Sequence, residues 1–373
     1  MYLAEYLDHC SKSLLLNENI NFTSPHNALY FDLYSSDIDI DIYADKTLLF
    51  SYQNNIESNT HGYLLDIKNK NIEIKINSGQ CEVKGIFSDI PKYYLAPYEK
   101  CKIELSKTNH NKIITFIYDS QMIEYVNVFI QSIKNKKKTF NLVMFCKEND
   151  YIPDYILKDV NVIYFSSNLV DYKKWHKTII YSLGSITLAE EILFFDVDMY
   201  IQSSLDSLIN RVKVLNDEKI LICKEQGDHG NKSLKQIISD QQMPYFKSEY
   251  TNQILDLLTE DSILINGGVI AGKRKAFLRL ESKLRSFENL GINYLNENKD
   301  VDWREQALLN IALCMNRAII ELDKSYNKQL FNEKQIYGSF NELLENNINE
   351  KILHFNGNIG RKIFHKIKHT IGK

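Results

Sequence analysis

The 373-residue sequence lacks the features that mark several large classes of protein. Its six cysteines are scattered and form no Cys-x-x-Cys pair, so we expect reduced thiols in a cytoplasmic protein. No apolar run approaches the roughly 20 residues of a membrane-spanning helix. The N-terminal segment lacks a basic start followed by an apolar core, so no signal peptide is expected. The net charge of −3 offers no basic excess, which argues against a nucleic-acid partner.

Residues 28–105 contain short runs in which apolar and polar residues alternate, such as "ALYFDLY", "DIDIDIY" and "NIEIKI". Strands of this kind, separated by turn residues, are typical of an all-β sandwich. We therefore predict a β-rich domain over residues 1–108, an accessory unit for carbohydrate binding or oligomerisation. Within it, Asp37, Asp39 and Asp41 fall on one strand face, about 7 Å apart. We interpret them as a solvated face rather than a metal site.

From about residue 110 the pattern changes to alternating buried strands and helices. Strands are predicted at "KIITFIYDS", "FNLVMFCKE", "VNVIYFSS" and "EEILFFDVD", and helices at "EYVNVFIQSIKNKK" and "YKKWHKTIIYSLGSI". This alternation predicts a Rossmann-like α/β domain over residues 109–358, with a mostly parallel sheet and helices on both faces. Ligands of such sheets bind beyond the carboxyl ends of the strands.

Two aspartates, Asp196 and Asp198, directly follow the predicted buried strand Ile192–Phe195. Two carboxylates at the end of a buried strand repel each other and lose hydration, which is unfavourable unless a cation neutralises them. Oxygen ligands suit Mg²⁺ or Mn²⁺, which usually complete their coordination with phosphate oxygens and water. This Asp-x-Asp pair therefore indicates a metal ion that chelates the diphosphate of a nucleotide.

The stretch that contains the Asp-x-Asp pair, "ILFFDVDMYIQSSLDSL", resembles the GT-A glycosyltransferases, in particular the retaining family 8. That family includes glycogenin and the lipopolysaccharide galactosyltransferases. Further segments match it in the same order: "ILINGGVIAGKRKAF", "VDWREQALLNIAL" and "ILHFNGNIG". In addition, "IYDSQMIEYVNVFIQSI" resembles the family's nucleotide-binding strand and helix. The likeness covers about residues 110–360 and implies the GT-A fold.

The resemblance also implies roles for individual residues. Asp196, Asp198 and His354 are the implied ligands of a Mn²⁺ or Mg²⁺ cofactor. Glu305 and Gln306 are the implied catalytic pair, with Gln306 close to the reacting face of the sugar. The residues expected to bind substrate are Asp119, Asp196, Asn266, Gly267, Gly268, Gly357 and Lys362. Apart from the resemblance, Lys177 is also expected to reach a phosphate or sugar hydroxyl, because it lies on the predicted helix before the Asp-x-Asp strand.

Two positions depart from the family pattern. Gly360 stands where the family has a lysine, so Arg361 or Lys362 is expected to contact the diphosphate instead. The aromatic residue expected just after Asp119 is replaced near Met122, so we predict that Tyr118 or Tyr125 stacks on the base.

The resemblance implies a metal-dependent glycosyltransferase that transfers a hexose, with retention, from a UDP-glucose or UDP-galactose type donor. The expected acceptor is a glycan or lipid-linked glycan in the synthesis of bacterial cell-surface polysaccharide or lipopolysaccharide. Two alternatives stay open, namely an inverting GT-A transferase with Glu305 as base and a non-catalytic carbohydrate-binding protein. A sugar-1-phosphate nucleotidyltransferase is disfavoured, because "IYDSQMIEY" lacks the glycine-rich basic loop that it would need.

Residues 359–373 combine five Lys/Arg with no acidic residue. On a helical wheel the apolar residues share one face and the basic residues fill the other. We predict a basic amphipathic helix that makes peripheral contact with the inner face of the cytoplasmic membrane. The alternative is a helix that docks on its own protein or on a partner.

Overall fold

The structure of the protein is a computed structural model. It describes residues 14–24, 28–35, 37–54, 58–65, 67–88, 93–95, 101–103, 111–134, 136, 140–147, 150–167, 183–239, 255–256, 258–260, 262–289, 309–310, 312–314, 318–331 and 337–371.

The first part of the chain is built from strands. They are β1 (Leu14–Leu16), β2 (Ile20–Thr23), β3 (Ala28–Ser35), β4 (Ile38–Ala44), β5 (Thr47–Asn54), β6 (Ser58–Leu65), β7 (Asn71–Gly79) and β8 (Cys81–Ser88). These strands form two antiparallel sheets, with the orders β1-β8-β3-β6 and β2-β7-β4-β5.

The two sheets enclose one apolar core. In β4 the alternating residues Ile38, Ile40 and Ile42 are at most 2% exposed, because every second side chain of a strand points to the same face. Phe31 of one sheet meets Phe50 of the other edge-on, with ring centroids 5.0 Å apart. The predicted β-sandwich is therefore confirmed.

The remaining strands belong to a large sheet and a small one. They are β9 (Tyr93–Leu95), β10 (Cys101–Ile103), β11 (Lys112–Tyr118), β12 (Asn141–Lys147), β13 (Asn161–Ser167), β14 (Glu191–Phe195), β15 (Met199–Ile201), β16 (Ile220–Lys224), β17 (Ile265–Lys273), β18 (Ile319–Leu322), β19 (Lys328–Gln329) and β20 (Ile352–His354). The large sheet has the order β18-β16-β17-β14-β11-β12-β13-β10-β9, and the small sheet the order β15-β20-β19.

Helices connect and cover these strands. They are α1 (Ile123–Lys134), α2 (Asp154–Leu157), α3 (Leu183–Ile186), α4 (Asp206–Val214), α5 (Gly227–Gly230), α6 (Leu234–Ser239), α7 (Arg274–Asn289), α8 (Phe340–Asn346) and α9 (Gly357–Ile367), with short 3-10 turns at Ser120–Met122, Lys324–Asn327 and Lys368–Thr370. Among the described residues, no helix combines the length and the apolar character that crossing a membrane requires.

The centre of the large sheet is parallel. Strands β14, β11, β12 and β13 run in one direction, whereas β17, β10 and β9 run antiparallel to their neighbours. This confirms the predicted α/β class with a parallel central sheet. Strands β9 and β10 join the large sheet although they fall within residues 1–108. The sandwich therefore ends before Tyr93, and the predicted domain boundary at residue 108 lies too far along the sequence.

The aspartates of β4 do not form the solvated face that the sequence predicted. Helix α7 packs across the edge strands β5 and β6 of the sandwich. Arg279 of α7 donates two hydrogen bonds to Asp39, at 2.8 and 3.1 Å, and Lys275 pairs with Asp41 at 2.6 Å. Asp41 is 2% exposed. The prediction failed because the charges that cover this face lie more than 200 positions away in the sequence.

Helix α9 confirms the predicted amphipathic pattern but not the predicted use of its apolar face. Ile363, Phe364 and Ile367 are at most 5% exposed and pack in a cluster with residues of α1, α8 and β20. The alternative of a helix docked on its own protein therefore describes the structure. Because this apolar face is already buried, it does not lie open to a bilayer.

Candidate functional site

Asp196 and Asp198 lie at the carboxyl end of β14, in the parallel centre of the sheet. The strand is buried because Ile192, Leu193, Phe194 and Phe195 are at most 1% exposed. The backbone N–H of Asp196 donates to the Gly268 carbonyl at 2.9 Å, which ties the end of β14 to β17. The position that the sequence predicted for these two carboxylates is confirmed.

His354 reaches the same point from the other end of the sequence. It ends β20, which pairs antiparallel with β15, so that Met199 lies opposite His354. The backbone N–H of Phe355 donates to the Asp198 carbonyl at 2.8 Å, which extends this ladder to the Asp-x-Asp segment. The small sheet therefore holds the imidazole against the two carboxylates.

The three side chains form one compact cluster. His354 Nε2 lies 3.1 Å from Asp198 Oδ1 and 3.9 Å from Asp196 Oδ2. The candidate ligand atoms of the three residues all lie within 4.8 Å of one another. The side chains of Asp196 and Asp198 are 22% and 12% exposed, and that of His354 is 3% exposed. Two carboxylates and one imidazole that converge at a partly exposed point are a donor set for a divalent cation.

A second group of polar residues lies behind His354, and sequence reasoning missed two of its members. Asn327 accepts or donates at His354 Nδ1, over 2.9 Å, and its amide nitrogen donates to Asn266 Oδ1 at 2.8 Å. Asn266 Nδ2 donates to Glu225 Oε2 at 3.0 Å. Glu225, Asn266 and Asn327 are 8%, 6% and 0% exposed. The sequence predicted that Asn266 binds substrate, whereas the structure engages its side chain inside the protein.

The predicted glycines have different surroundings. A Cβ at Gly268 would lie 2.5 Å from Met199 Cε and 2.8 Å from His354 Cε1, so the backbone here runs close under the imidazole. A Cβ at Gly267 would meet Leu309 Cδ2 at 3.7 Å, an ordinary contact. Gly357 begins α9 with φ of +64°, a conformation that favours glycine, and it is exposed. Of the three, Gly268 bears directly on the cluster.

Asp119 follows β11, the parallel neighbour of β14, and therefore lies at the same edge of the sheet as the cluster. Its side chain accepts a hydrogen bond from the Gln121 backbone N–H at 2.8 Å and caps a 3-10 turn. The Ser120 backbone N–H donates to Asp150 Oδ2 at 3.2 Å. The position suits the predicted contact with a nucleotide, which stays a prediction.

The prediction that Tyr118 or Tyr125 stacks on a base is wrong. Tyr118 is fully buried, and its hydroxyl donates to the Tyr151 carbonyl at 2.5 Å. Tyr125 is 5% exposed and its ring stacks on Phe364, with centroids 3.9 Å apart. Both rings belong to clusters of the apolar core, so neither is open to a ligand.

The segment after His354 explains one departure from the family pattern. A Cβ at Gly360 would lie 2.3 Å from the carbonyl carbon of Phe355, so no lysine fits there. Arg361 and Lys362 are exposed on α9. Burial and the charge of Asp198 raise the pKa of Tyr125 to about 12, and the charge of Arg361 opposes this shift. The roles of Arg361 and Lys362 stay predictions.

Three predicted residues, Lys177, Glu305 and Gln306, lie outside the described residues. Their proposed roles stay predictions.

Comparison with protein-family models gives no match, and comparison with curated proteins gives none. Solved structures similar to this chain include the bifunctional glycosyltransferase WbbM, with a TM-score of 0.48 and 12% identity over 78% of this chain and 54% of WbbM. The galactosyltransferase LgtC, solved with donor and acceptor sugar analogues, has a TM-score of 0.43 and 13% identity over 70% of this chain and 96% of LgtC. Mouse xyloside xylosyltransferase 1 has a TM-score of 0.44 and 14% identity over 66% of this chain and 98% of its own. At these values the similarities assign neither an activity nor a substrate to this chain.

Proposed function

We propose that this protein is a metal-dependent glycosyltransferase of the GT-A type that transfers a hexose from a nucleotide sugar. The observation that carries the proposal is the cluster of Asp196, Asp198 and His354 at the carboxyl end of the parallel strands. Ligands of α/β sheets bind at that edge. The motif resemblance of the surrounding segments supports the same function.

The residues of the cluster fit a divalent cation. Asp196, Asp198 and His354 would hold it. A side chain at position 268 would collide with the imidazole, so the glycine there allows His354 to take its position. When bound, Mn²⁺ or Mg²⁺ supplies positive charge that stabilises a departing diphosphate. The two hard carboxylate ligands and one imidazole suit either ion.

The chain's own residues prepare the site for an ionic reaction. A glycosyl transfer passes through an oxocarbenium-like state, in which preorganised polar groups matter more than a strong nucleophile. Asp196 is fixed by its backbone bond to Gly268, and Asp198 by the bond from Phe355. Asp119 is the proposed contact to the base or ribose, and Arg361, Lys362 and Lys177 are the proposed contacts to phosphate or sugar hydroxyls.

The donor is proposed to be UDP-glucose or UDP-galactose, and the reaction to retain configuration, with Gln306 near the anomeric carbon. An inverting enzyme with Glu305 as base is the second candidate, and product stereochemistry separates the two. A non-catalytic carbohydrate-binding protein is the third, and absence of turnover with every donor would favour it.

The test is a panel of nucleotide sugars incubated with the protein and Mn²⁺, with release of nucleoside diphosphate as the signal. We expect one donor to be turned over, and Asp198→Asn to lower the rate at least about 100-fold, because even residues outside a ligand set change metal sites by about 10–100-fold. Asp217→Asn is the matched control, since Asp217 is 62% exposed and pairs with Lys273 on the surface. Equal rates for wild type and Asp198→Asn would contradict the proposal.

The proposed acceptor is a glycan or lipid-linked glycan of a bacterial cell surface, and the proposed location is the inner face of the cytoplasmic membrane. Support for the membrane contact now comes from charge alone, because the apolar face of α9 is buried. Arg361, Lys362 and Lys366 are exposed on its other face. Basic groups of this kind are attracted to anionic headgroups.

A further inference from the structure

A continuous chain of side-chain hydrogen bonds runs from Glu225 to the cluster. Asn266 Nδ2 lies 3.0 Å from Glu225 Oε2, and Asn327 Nδ2 lies 2.8 Å from Asn266 Oδ1. Asn327 Oδ1 lies 2.9 Å from His354 Nδ1, which ends the chain of hydrogen bonds. On the opposite side of the ring, His354 Nε2 lies 3.1 Å from Asp198 Oδ1, and both atoms are candidate metal ligands. Each bond joins residues that are distant in the sequence, so the chain exists only in the folded protein.

The direction of this chain is determined at two points. The carboxylate of Glu225 accepts hydrogen bonds, so the group of Asn266 that faces it is the NH₂. The backbone N–H of Gly268 donates to Asn266 Oδ1 at 3.0 Å, which independently requires oxygen at that position. Asn266 Oδ1 therefore faces Asn327, and the group of Asn327 that donates to it must be the NH₂.

The orientation of Asn327 decides where His354 carries its proton. With its NH₂ directed to Asn266, Asn327 presents Oδ1, an acceptor, to His354 Nδ1. Nδ1 must then be the donor, and Nε2 is the nitrogen that faces Asp196 and Asp198. A neutral imidazole with its proton on Nδ1 has its lone pair on Nε2, where a cation ligand is needed.

Burial protects this arrangement. Asn327 is fully buried, and Asn266 and His354 are 6% and 3% exposed. At such buried positions, reversing the direction of the hydrogen bonds would leave the Gly268 N–H without its acceptor. This would cost free energy, because water could not replace the lost bond. Glu225 therefore fixes the direction of the hydrogen bonds as far as His354, and bulk water does not compete with these bonds.

We propose that Glu225, Asn266 and Asn327 are positioning residues that hold His354 as the Nδ1–H tautomer, so that Nε2 is available to a divalent cation. The assignment rests on the proposed metal-dependent function. It also gives Asn266 a role behind the imidazole in place of the predicted contact with the sugar.

The test is the affinity for Mn²⁺ alone, measured on the full chain by the electron paramagnetic resonance signal of free Mn²⁺. We expect Asn327→Ala to weaken binding about 10–100-fold, as loss of a partner behind a metal-bound histidine usually does. Asn327→Leu, which keeps the branching at Cγ and the number of side-chain heavy atoms, replaces Asn327→Ala if the smaller residue prevents folding.

Asn347→Ala is the matched control. Asn347 is also a buried asparagine with two side-chain bonds, to Tyr337 and Leu343, but it lies in another part of the fold. It should lower the melting temperature and leave the Mn²⁺ affinity unchanged. Wild-type affinity in the Asn327→Ala or Asn327→Leu protein would overturn the inference alone. Absence of Mn²⁺ binding by the wild type would overturn the proposed function, and the inference with it.

Discussion

The absence of a Cβ at Gly268 allows His354 to take its position in the site. A Cβ at this position would press on Met199 Cε at 2.5 Å and on His354 Cε1 at 2.8 Å. The methionine methyl group can move at little cost, whereas the imidazole is held by Asn327. A methyl group at residue 268 must therefore displace His354 or the backbone.

We predict that Gly268→Ala lowers the free energy of unfolding by about 1–3 kcal/mol, as overpacking does, and also weakens Mn²⁺ binding. Gly267→Ala is the control, because its Cβ would make only an ordinary contact with Leu309 at 3.7 Å. Urea unfolding and Mn²⁺ titration of both variants provide the comparison. If both substitutions have the same effect, the proximity of Gly268 to His354 is not what matters.

The site residues differ in how far the sequence reveals them. Asp196 and Asp198 could be predicted because they directly follow a run of buried residues, and His354 because its segment resembles a known motif. Glu225 and Asn327 could not, since buried polar residues that bond to other side chains leave no periodic pattern. Asn327 directly precedes β19, and the pairing of β19 with β20 brings it to His354.

At the scale of the element, α9 shows why an amphipathic pattern does not identify the surface it faces. The same apolar stripe suits a lipid interface or a protein core, because both remove it from water. Here the stripe contacts residues of α1 and α8. Phe364 lies between Tyr125 and Phe355, with ring centroids 3.9 and 5.3 Å away.

The two faces of α9 can be separated by substitution. We predict that replacing Arg361, Lys362 and Lys366 together by Gln reduces co-sedimentation with anionic vesicles and leaves the melting temperature nearly unchanged. Phe364→Ala should destabilise the fold by about 3–5 kcal/mol, as loss of a buried aromatic side chain does, with little effect on vesicle binding by the protein that remains folded. Equal sedimentation of the triple variant and the wild type would contradict a membrane contact through the basic face.

At the scale of the whole molecule, ion pairs attach the sandwich to the α/β domain through α7. Asp41 accepts hydrogen bonds from Lys275 at 2.6 Å and from Ser51 at 2.5 Å. Burial alone would raise the pKa of Asp41, but these bonds outweigh it, and the pKa lies below its usual value. Residue patterns along the sequence predicted both domains, yet the contact between them depends on pairs that no local pattern contains.

The lowered pKa of Asp41 predicts a pH dependence of stability. A carboxyl with a lower pKa in the folded state stabilises the fold above its unfolded-state pKa of about 3.9, and this contribution is lost as the pH falls through the folded value. We expect Asp41→Asn to cost up to about 3 kcal/mol at pH 7, and the difference from wild type to shrink below about pH 4. Asp37→Asn, at an exposed position of the same segment, is the control. Urea unfolding at pH 7 and pH 3 decides, and a difference that does not change with pH would contradict the prediction.

The pairing of β15 with β20 also bears on how the molecule folds. It joins Asp198 to His354 across 156 positions of sequence. Closing so long a segment costs conformational entropy before any contact repays it, so long-range pairings of this kind form late. We expect a refolding chain to gain most of its strands and helices first and its capacity to bind an ion last. The capacity to bind an ion would then report completed folding. A partly folded population would contain strands and helices but would bind no ion.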